Sequence, residues 1–377
     1  MFIPPFCPYK ECRLHTHPPP TRWWQRYGFH GTKAHGPVQR FRCVSCGRTF
    51  SVQTFSVHYY AKRLINLEEL ERRASSSMSM RALGRDCACT VDTILNRLDR
   101  LARQGIALHS ALRPKADPSE RVCFDGLVSF ERSQYYPCDI GISITAHSRF
   151  VLGLSHSTTR RSGRMTTRQR ETRARLDRTN RYERRPLDRS LTEHLDMLKA
   201  ERPFSAHRPL ILITDEKREY VRTIRVHSLY RDQDDDHRMM HLQVSSRAPR
   251  NYTNPLFASN YYDREVRKDQ AQHRRETACF ARDASTGMSR LYVHLVYHNY
   301  VKRYLINQPT HITRTAAEVA GVPGSDIRRL RSCFFTRRAF LSKLLLQPID
   351  LKIWLKELWD PVVGGLRRAY TPRFALA

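Results

Sequence analysis

Apolar residues recur every three or four positions between Tyr59 and about Leu112, which is the spacing of one face of an α-helix. Prolines at positions 114 and 118 follow this stretch and interrupt the pattern. We therefore predict a helical region over residues 57–118. The residues before it, 1–56, have few helix-length patterns and are rich in proline, tryptophan and cysteine, so a small loop-rich module is expected there.

After residue 120 the pattern changes to short apolar runs separated by turn-length gaps, which predicts strands over 122–130, 139–145 and 150–155. A continuous apolar run over 210–214 is typical of a strand buried on both faces. A further strand is expected near 241–245, and helices are expected over 190–200, 260–281 and 288–300. The alternation predicts a mixed unit over 119–304, followed by a proline-punctuated helical region over 305–377.

Composition limits the number of domains, the kind of partner and the location that we expect for this protein. A chain of 377 residues is expected to form two or three domains. The 66 Lys and Arg residues against 36 Asp and Glu residues give a net charge of +30, which favours nucleic acid as a partner. No apolar run approaches the length of about 20 residues that a membrane span needs, and the first residues lack a signal-peptide pattern. We expect a cytoplasmic, nucleoid-associated protein with no membrane partner.

The segment 158–189 is the most basic part of the chain, with twelve arginines and only four acidic residues. Its apolar content is too low to form a buried face. We expect this segment to be mobile, or ordered only when it binds phosphate.

Two close pairs of cysteines, Cys7 with Cys12 and Cys43 with Cys46, predict a metal site near the N-terminus. Two short loops can bring four thiolates around one Zn²⁺, and four protein ligands leave a structural site with no open position. The alternatives are a disulfide or a coincidental pair, and His15 or His17 could replace one thiolate. The other six cysteines are interpreted as small buried apolar residues.

A helix, a tight turn and a second helix are expected over 79–97, with Thr90 as the N-cap of the second helix. In a helix-turn-helix motif the second helix enters the major groove of DNA. Its outward residues here would be Asp92, Thr93, Asn96 and Arg97, of which the last three are our candidate DNA-binding residues. An ordinary helical hairpin fits the pattern equally well, and the neighbouring cysteine module and basic charge favour DNA.

Two aspartates are candidates for a catalytic cation site. Asp125 lies within a predicted strand, where an unpaired charge is costly, and Asp215 follows the buried run 210–214. Carboxylates on neighbouring strands can hold the Mg²⁺ or Mn²⁺ that phosphoryl transfer requires. Taken singly, Asp125 could instead form a buried ion pair with an arginine, and Asp215 could be a helix N-cap.

The third acid is open between two residues of the predicted helix 260–281. Asp263 and Glu276 are separated by thirteen positions, or roughly 20 Å along a helix, so both cannot serve one site. We favour Asp263, because helix starts lie close to the sheet edge at which the first two acids are expected, and keep Glu276 as the alternative.

Several segments resemble the zinc-ribbon insertion-element transposases, whose catalytic domain is of the ribonuclease H-like, DDE class. The stretch 41–51, Phe-Arg-Cys-Val-Ser-Cys-Gly-Arg-Thr-Phe-Ser, resembles their zinc ribbon, and the stretch from Ser79 resembles their helix-turn-helix. Asp125 and Asp215 match the first two catalytic acids. Residues 275–282 resemble the arginine-rich segment beyond the third acid, and Asn260 stands where many relatives carry a glutamate.

The resemblance implies a multidomain α+β and α/β protein. It would have a zinc ribbon (1–56), a helix-turn-helix domain (57–118), a ribonuclease H-like catalytic domain (119–304, with the basic insertion 158–189) and a C-terminal helical region (305–377). It also implies a transposase that binds terminal inverted repeats of double-stranded DNA as a homo-oligomer and catalyses Mg²⁺-dependent strand cleavage and strand transfer. The alternative is a non-catalytic, zinc-dependent DNA-binding regulator derived from a transposase.

Overall fold

The computed structural model describes residues 2–20, 22–205, 207–234, 238–274, 279–307, 309 and 313–368. Helices and strands are both well represented among them. The strands are β1 (Trp24–Thr32), β2 (Gly36–Cys43), β3 (Thr49–Ser51), β4 (Val122–Phe130), β5 (Pro137–Thr145), β6 (Val151–Thr158), β7 (Leu210–Asp215), β8 (Met239–Val244), β9 (Glu357–Asp360) and β10 (Gly365–Arg368). The helices are α1 (Arg13–Thr16), α2 (Leu67–Ala74), α3 (Met80–Asp86), α4 (Val91–Leu112), α5 (Thr167–Thr179), α6 (Pro186–Glu201), α7 (Arg218–Val226), α8 (Ser228–Arg231), α9 (Phe257–Asp269), α10 (Ala284–Tyr300), α11 (Ala316–Val319), α12 (Gly324–Phe334) and α13 (Pro348–Leu355).

The N-terminal module is a three-stranded antiparallel sheet of β1, β2 and β3. Its small core consists mainly of aromatic side chains and cysteines, with Leu14 as the buried aliphatic residue of the cluster. Phe41 and Phe50 stack at 5.7 Å between ring centroids, and Phe55 packs edge-on against Phe50. Phe340, from the far end of the chain, completes this cluster.

The main sheet contains five strands in the order β6-β5-β4-β7-β8. Within this sheet, the three strands that come first in the sequence, β4 to β6, pair antiparallel. Strand β7 lies parallel to β4, and β8 lies parallel to β7. The parallel pairing of β4 with β7 covers only Val122 and Cys123 on the β4 side, so it ends two residues before Asp125. The place beside Asp125 where this pairing has ended is called the gap below.

The long helix α4 connects the N-terminal part of the chain to the sheet. It packs against α10 so closely that a Cβ at Gly105 would meet Val296 Cγ2 at 2.7 Å. At its C-terminal end the buried Arg113 forms ion pairs with Glu201 of α6 at 2.6 Å and with Asp350 of α13 at 2.8 Å. One guanidinium group, at the end of α4, therefore links this helix to α6 and α13.

Several predictions about elements need correction. The segment 158–189, for which we expected no packed structure of its own, contains the helix α5 and the start of α6. The predicted helix 260–281 ends at Asp269, where a short 3-10 turn over Ala271–His273 begins. The C-terminal region is not purely helical, because β9 and β10 form an antiparallel hairpin. Every helix in the described ranges is too short or too polar to cross a membrane.

Candidate metal centres and nucleic-acid surface

The four N-terminal cysteines converge, as the sequence spacing predicts. Their Sγ atoms all lie within 4.8 Å of one another, with Cys7 and Cys46 at 3.7 Å and Cys12 and Cys43 at 3.8 Å. Four sulfurs bound to one zinc ion at about 2.3 Å are separated by about 3.8 Å, whereas a disulfide needs about 2.05 Å. All four are free thiols, so the disulfide alternative is wrong and the arrangement is compatible with zinc.

Local backbone geometry explains how the two loops reach one point. Gly47 follows the second cysteine pair with φ of +67°, a conformation that glycine adopts without steric cost. Its N–H donates to the carbonyl of Cys43 at 3.0 Å and closes the loop. His15 is not a ligand, because Nδ1 lies 2.7 Å from the carbonyl oxygen of Cys7 and Nε2 lies 2.7 Å from Ser342 Oγ. His17 is not among the ligand side chains that converge with the four cysteines.

Helices α3 and α4 form a tight helical pair at the predicted place. Ser79 caps α3 by accepting the N–H of Ala82, and Thr90 caps α4 by accepting the N–H of Thr93 at 3.3 Å. An open groove of about 780 Å³ lies between the helices. Four of the residues that line it can contact phosphate or bases: Arg63, Arg81, Arg85 and Thr93.

One of the three candidate DNA-binding residues is not on the outward face. Arg97 is only 4% exposed, and its guanidinium donates to Asn96 Oδ1 at 2.7 Å and to the carbonyl oxygen of Arg63 at 3.1 Å. Arg97 therefore braces the segment before α2 and is not available to a groove of DNA. Asn96 is exposed and Thr93 is half-buried, so both remain accessible at the surface.

Asp125 and Asp215 meet at the gap between β4 and β7, on either side of one ammonium group. Lys217 Nζ lies 3.4 Å from Asp125 Oδ1 and 3.6 Å from Asp215 Oδ2. The distance between Asp125 Oδ1 and Asp215 Oδ2 is therefore at most the sum of these two distances. Lys217 Nζ also donates to the hydroxyl of Tyr220 at 3.1 Å. Burial opposes the charge of Lys217, but the Tyr220 hydroxyl and the surrounding carboxylates raise its pKa above the ordinary value.

The ion-pair alternative for Asp125 is partly right, whereas Asp215 is not a helix N-cap, because the N-cap of α7 is Lys217. Asp125 does form an ion pair, although its partner is a lysine rather than an arginine. Asp215 Oδ1 accepts the backbone N–H of Lys217 at 3.1 Å, next to the start of α7, while its second oxygen faces the ammonium. Neither contact removes the carboxylates from the gap, where the Asp125 and Asp215 side chains keep exposures of 26% and 17%.

A fourth acid, Asp139 of β5, was missed by sequence reasoning. It is only 5% exposed, and its carboxylate has no hydrogen bond or ion pair among the described residues. Its carboxylate lies against Gly126, where an added Cβ would meet Asp139 Oδ1 and Oδ2 at 2.4 Å. Burial is the main cause that raises the pKa of Asp139 to about 6, and the charge of Asp125 adds to it against the effect of Lys217.

Asp263 belongs to the same group of charges. It lies in the second turn of α9, a helix that packs against β4 and β5. Burial raises the pKa of Asp263 to about 7, and the negative charges of Asp125 and Asp139 contribute. Glu276, the alternative third acid, lies outside the described residues. The carboxylates of Asp125, Asp139, Asp215 and Asp263, with Lys217, are called the acidic cluster below.

The signals for the missed members were present in the sequence but weak. Asp139 is an acid among apolar strand residues, the same pattern that identifies Asp125, but the predicted strand 139–145 has this residue at its first position rather than inside it. The strand in fact starts at Pro137, so Asp139 lies inside it. Lys217 lies two residues after Asp215, and no pattern distinguishes it from the many other basic residues.

The basic helix α5 offers a surface rather than a core. None of its residues is buried. Its arginines at 168, 170, 175 and 178 are exposed. The helix is capped by Thr166, whose hydroxyl accepts the N–H of Gln169 at 3.3 Å, and is anchored by a bond from Gln169 Nε2 to Gln134 at 3.2 Å. A capped helix with a cationic surface and no apolar face suits a polyanion.

No protein-family model matches the chain, and no curated protein matches it. What the protein does must therefore follow from the chemistry of its sites: four converging thiols, an acidic cluster at a sheet gap, and arginines on exposed surfaces.

Proposed function

We propose that this protein is a DDE-type transposase that binds the terminal inverted repeats of a DNA element and catalyses strand cleavage and strand transfer with Mg²⁺ or Mn²⁺. The observation that carries the proposal is the meeting of Asp125 and Asp215 around one ammonium group, with Asp139 and Asp263 beside them. Buried carboxylates repel each other unless a cation lies between them. In a chain of net charge +30, a concentration of acids at one place supports a role in binding cations.

The sheet topology supports a ribonuclease H-like catalytic domain. Three antiparallel strands are followed by two parallel strands on the other side of β4. The two aspartates lie on the neighbouring strands β4 and β7, at the gap where their pairing has ended, and the third acid would come from the helix α9, which packs against β4 and β5.

The donor set fits a hard divalent cation. Carboxylate oxygens are the ligands that Mg²⁺ and Mn²⁺ prefer. Asp125, Asp215 and Asp263 would hold the cations, which would supply activation of the attacking oxygen and stabilisation of charge on the phosphate.

Lys217 has a role of its own in this proposal. Its ammonium balances Asp125 and Asp215 when no cation is bound, and its contacts of 3.4 and 3.6 Å are long for tight hydrogen bonds. A lysine on a flexible stem can move from the carboxylates to a phosphate oxygen of DNA. Lys217 would thereby keep the cation-free site folded and then help to hold the substrate.

DNA binding would use three parts of the chain. The cysteine module would be stabilised by a structural zinc ion. The groove between α3 and α4 would contact DNA through Arg81, Arg85, Thr93 and Asn96, without Arg97. Helix α5 would bind phosphates without reading sequence, since arginine contacts to phosphate carry no base information.

The test is strand cleavage of duplexes taken from the DNA that borders the coding sequence, with Mg²⁺ or Mn²⁺ present. Asp125→Asn and Asp215→Asn should abolish cleavage while DNA binding in gel shifts is retained. The matched control is Glu216→Gln, which removes an exposed carboxylate next to Asp215 and should leave cleavage unchanged. Cleavage by either aspartate variant would refute the catalytic site. Binding by the wild-type protein without any cleavage would favour the non-catalytic regulator.

A further inference from the structure

A second group of metal-ligand side chains lies on the main sheet, apart from the acidic cluster. Glu131 directly follows β4, Cys138 lies near the start of β5, and His156 lies near the end of β6. Ile140 pairs with His156 across the β5–β6 ladder. Because alternate residues of a strand share a face, Cys138, Ile140 and His156 lie on one face of the sheet.

The three side chains converge on one point. One ligand atom from each lies within 4.8 Å of the other two, a condition that only the N-terminal cysteines also meet within the described ranges. The site is enclosed, with side-chain exposures of 1% for His156 and 13% for Glu131. Cys138 is 3% exposed. Three donors of different chemistry are thus held together away from water by three adjacent strands.

The histidine has an unfilled position. His156 Nε2 lies 2.6 Å from Glu131 Oε1, while Nδ1 is buried and has no hydrogen-bond partner among the residues described. Buried polar atoms in native proteins nearly always have a partner. An imidazole whose Nε2 lies beside a carboxylate can exchange the proton between the two groups for a metal ion that both of them bind.

Arg189, which contacts His156, does not neutralise the charge of the Glu131 carboxylate. Arg189 donates to the backbone oxygen of His156 at 2.7 Å rather than to the Glu131 carboxylate. Its other nitrogens pair with Glu183 and with Glu193, the latter at 2.5 Å. The partners of the Glu131 carboxylate are therefore the His156 imidazole and the buried Cys138 thiol, whose proton a metal ion can replace.

We propose that Glu131, Cys138 and His156 bind a second transition-metal ion, Zn²⁺ by the chemistry of the donors, at a site separate from the four N-terminal cysteines. Thiolate and imidazole select Zn²⁺ over Mg²⁺, which requires oxygen ligands. The bound ion would join the end of β4 to β5 and to the sheet-edge strand β6. Its binding releases the Cys138 thiol proton, and a ring nitrogen of His156 supplies its lone pair.

The first measurement is the zinc content of the full-length protein, loaded with zinc and freed of excess by gel filtration. The proposal predicts two zinc ions per chain. Cys138→Ser should retain one, and Cys43→Ser should retain the one at Glu131, Cys138 and His156. The matched control is Cys123→Ser, which alters another buried thiol of the same sheet, bonded to the carbonyl of Pro255, and should keep two ions.

A second measurement covers the case in which Cys138→Ser does not fold. Co²⁺ titration of the wild-type protein should show two classes of sites, a four-thiolate spectrum and a second spectrum with a single thiolate. Glu131→Gln preserves the shape of the side chain and should weaken the second class at least about tenfold. One zinc ion per chain in the loaded wild-type protein, or two in folded Cys138→Ser, would overturn the proposal. These outcomes are independent of DNA cleavage.

Discussion

Gly126→Ala tests the position of Asp139 in the acidic cluster. The new methyl carbon would stand 2.4 Å from both carboxylate oxygens of Asp139, much closer than van der Waals contact allows. Either the carboxylate must leave its place against β4, or the β4 and β5 backbones must separate. Overpacking of this kind costs about 1–3 kcal/mol, which lowers the melting temperature of a unit of about 200 residues by about 2–12 °C.

The control for backbone effects is Gly31→Ala in β1. Nothing lies within 4 Å of an added Cβ there, and neither glycine has a positive φ. The control should change the free energy of unfolding by less than about 0.5 kcal/mol.

A double-mutant cycle isolates the contact itself. Asp139→Ala removes the two oxygens that the methyl group would meet, so Gly126→Ala should cost much less in that background than in the wild type. Thermal unfolding followed by circular dichroism measures all four proteins without added divalent cation. Equal costs in the two backgrounds would show that the Asp139 carboxylate does not occupy the place over Gly126, and its inclusion in the cluster would be refuted.

Three further outcomes are expected. Cys43→Ser or removal of zinc by a chelator should expose Trp23, now 3% exposed, and shift tryptophan emission to the red, whereas Cys333→Ser, which lies outside the cysteine cluster, should not. Burial lowers the pKa values of His109, His194 and His298 to about 3 from 6.5; these side chains are neutral in the fold and take up protons only on unfolding. Stability measured by urea denaturation should therefore be highest above pH 6.5 and fall below it by up to about 1.4 kcal/mol per pH unit for each histidine, and a flat profile would contradict this. Finally, Arg170→Gln and Arg175→Gln in α5 should each reduce the slope of log affinity for duplex DNA against log salt by about 0.9 if each arginine neutralises one phosphate; an unchanged slope would remove α5 from the DNA surface.

Sequence patterns predicted the parts of the molecule in which local signals agree with the tertiary fold. The strands β4 and β7 and the capped start of α4 come from apolar runs and a threonine N-cap, and the four cysteines from their spacing. These features depend on neighbouring residues, so a single sequence is enough to locate them.

Features decided by distant residues could not be predicted. Arg97 follows the outward spacing of a DNA-reading helix, yet the carbonyl of Arg63 accepts from it and buries it. The proximity of Glu131, Cys138 and His156 depends on the register of three strands, which the apolar pattern alone does not fix. The place of the Asp139 carboxylate against β4 depends on a glycine at position 126, which leaves room for it.

The cysteine module is completed by a part of the chain that is synthesised much later. Phe340 fills its aromatic core, Ser342 bonds His15, and the N–H of Arg338 donates to the carbonyl of Phe55 at 2.8 Å. During synthesis on the ribosome, the cysteine module therefore lacks these contacts until the residues near 340 have emerged. Truncation before residue 340 would remove Phe340 from this aromatic cluster and leave the module without part of its core.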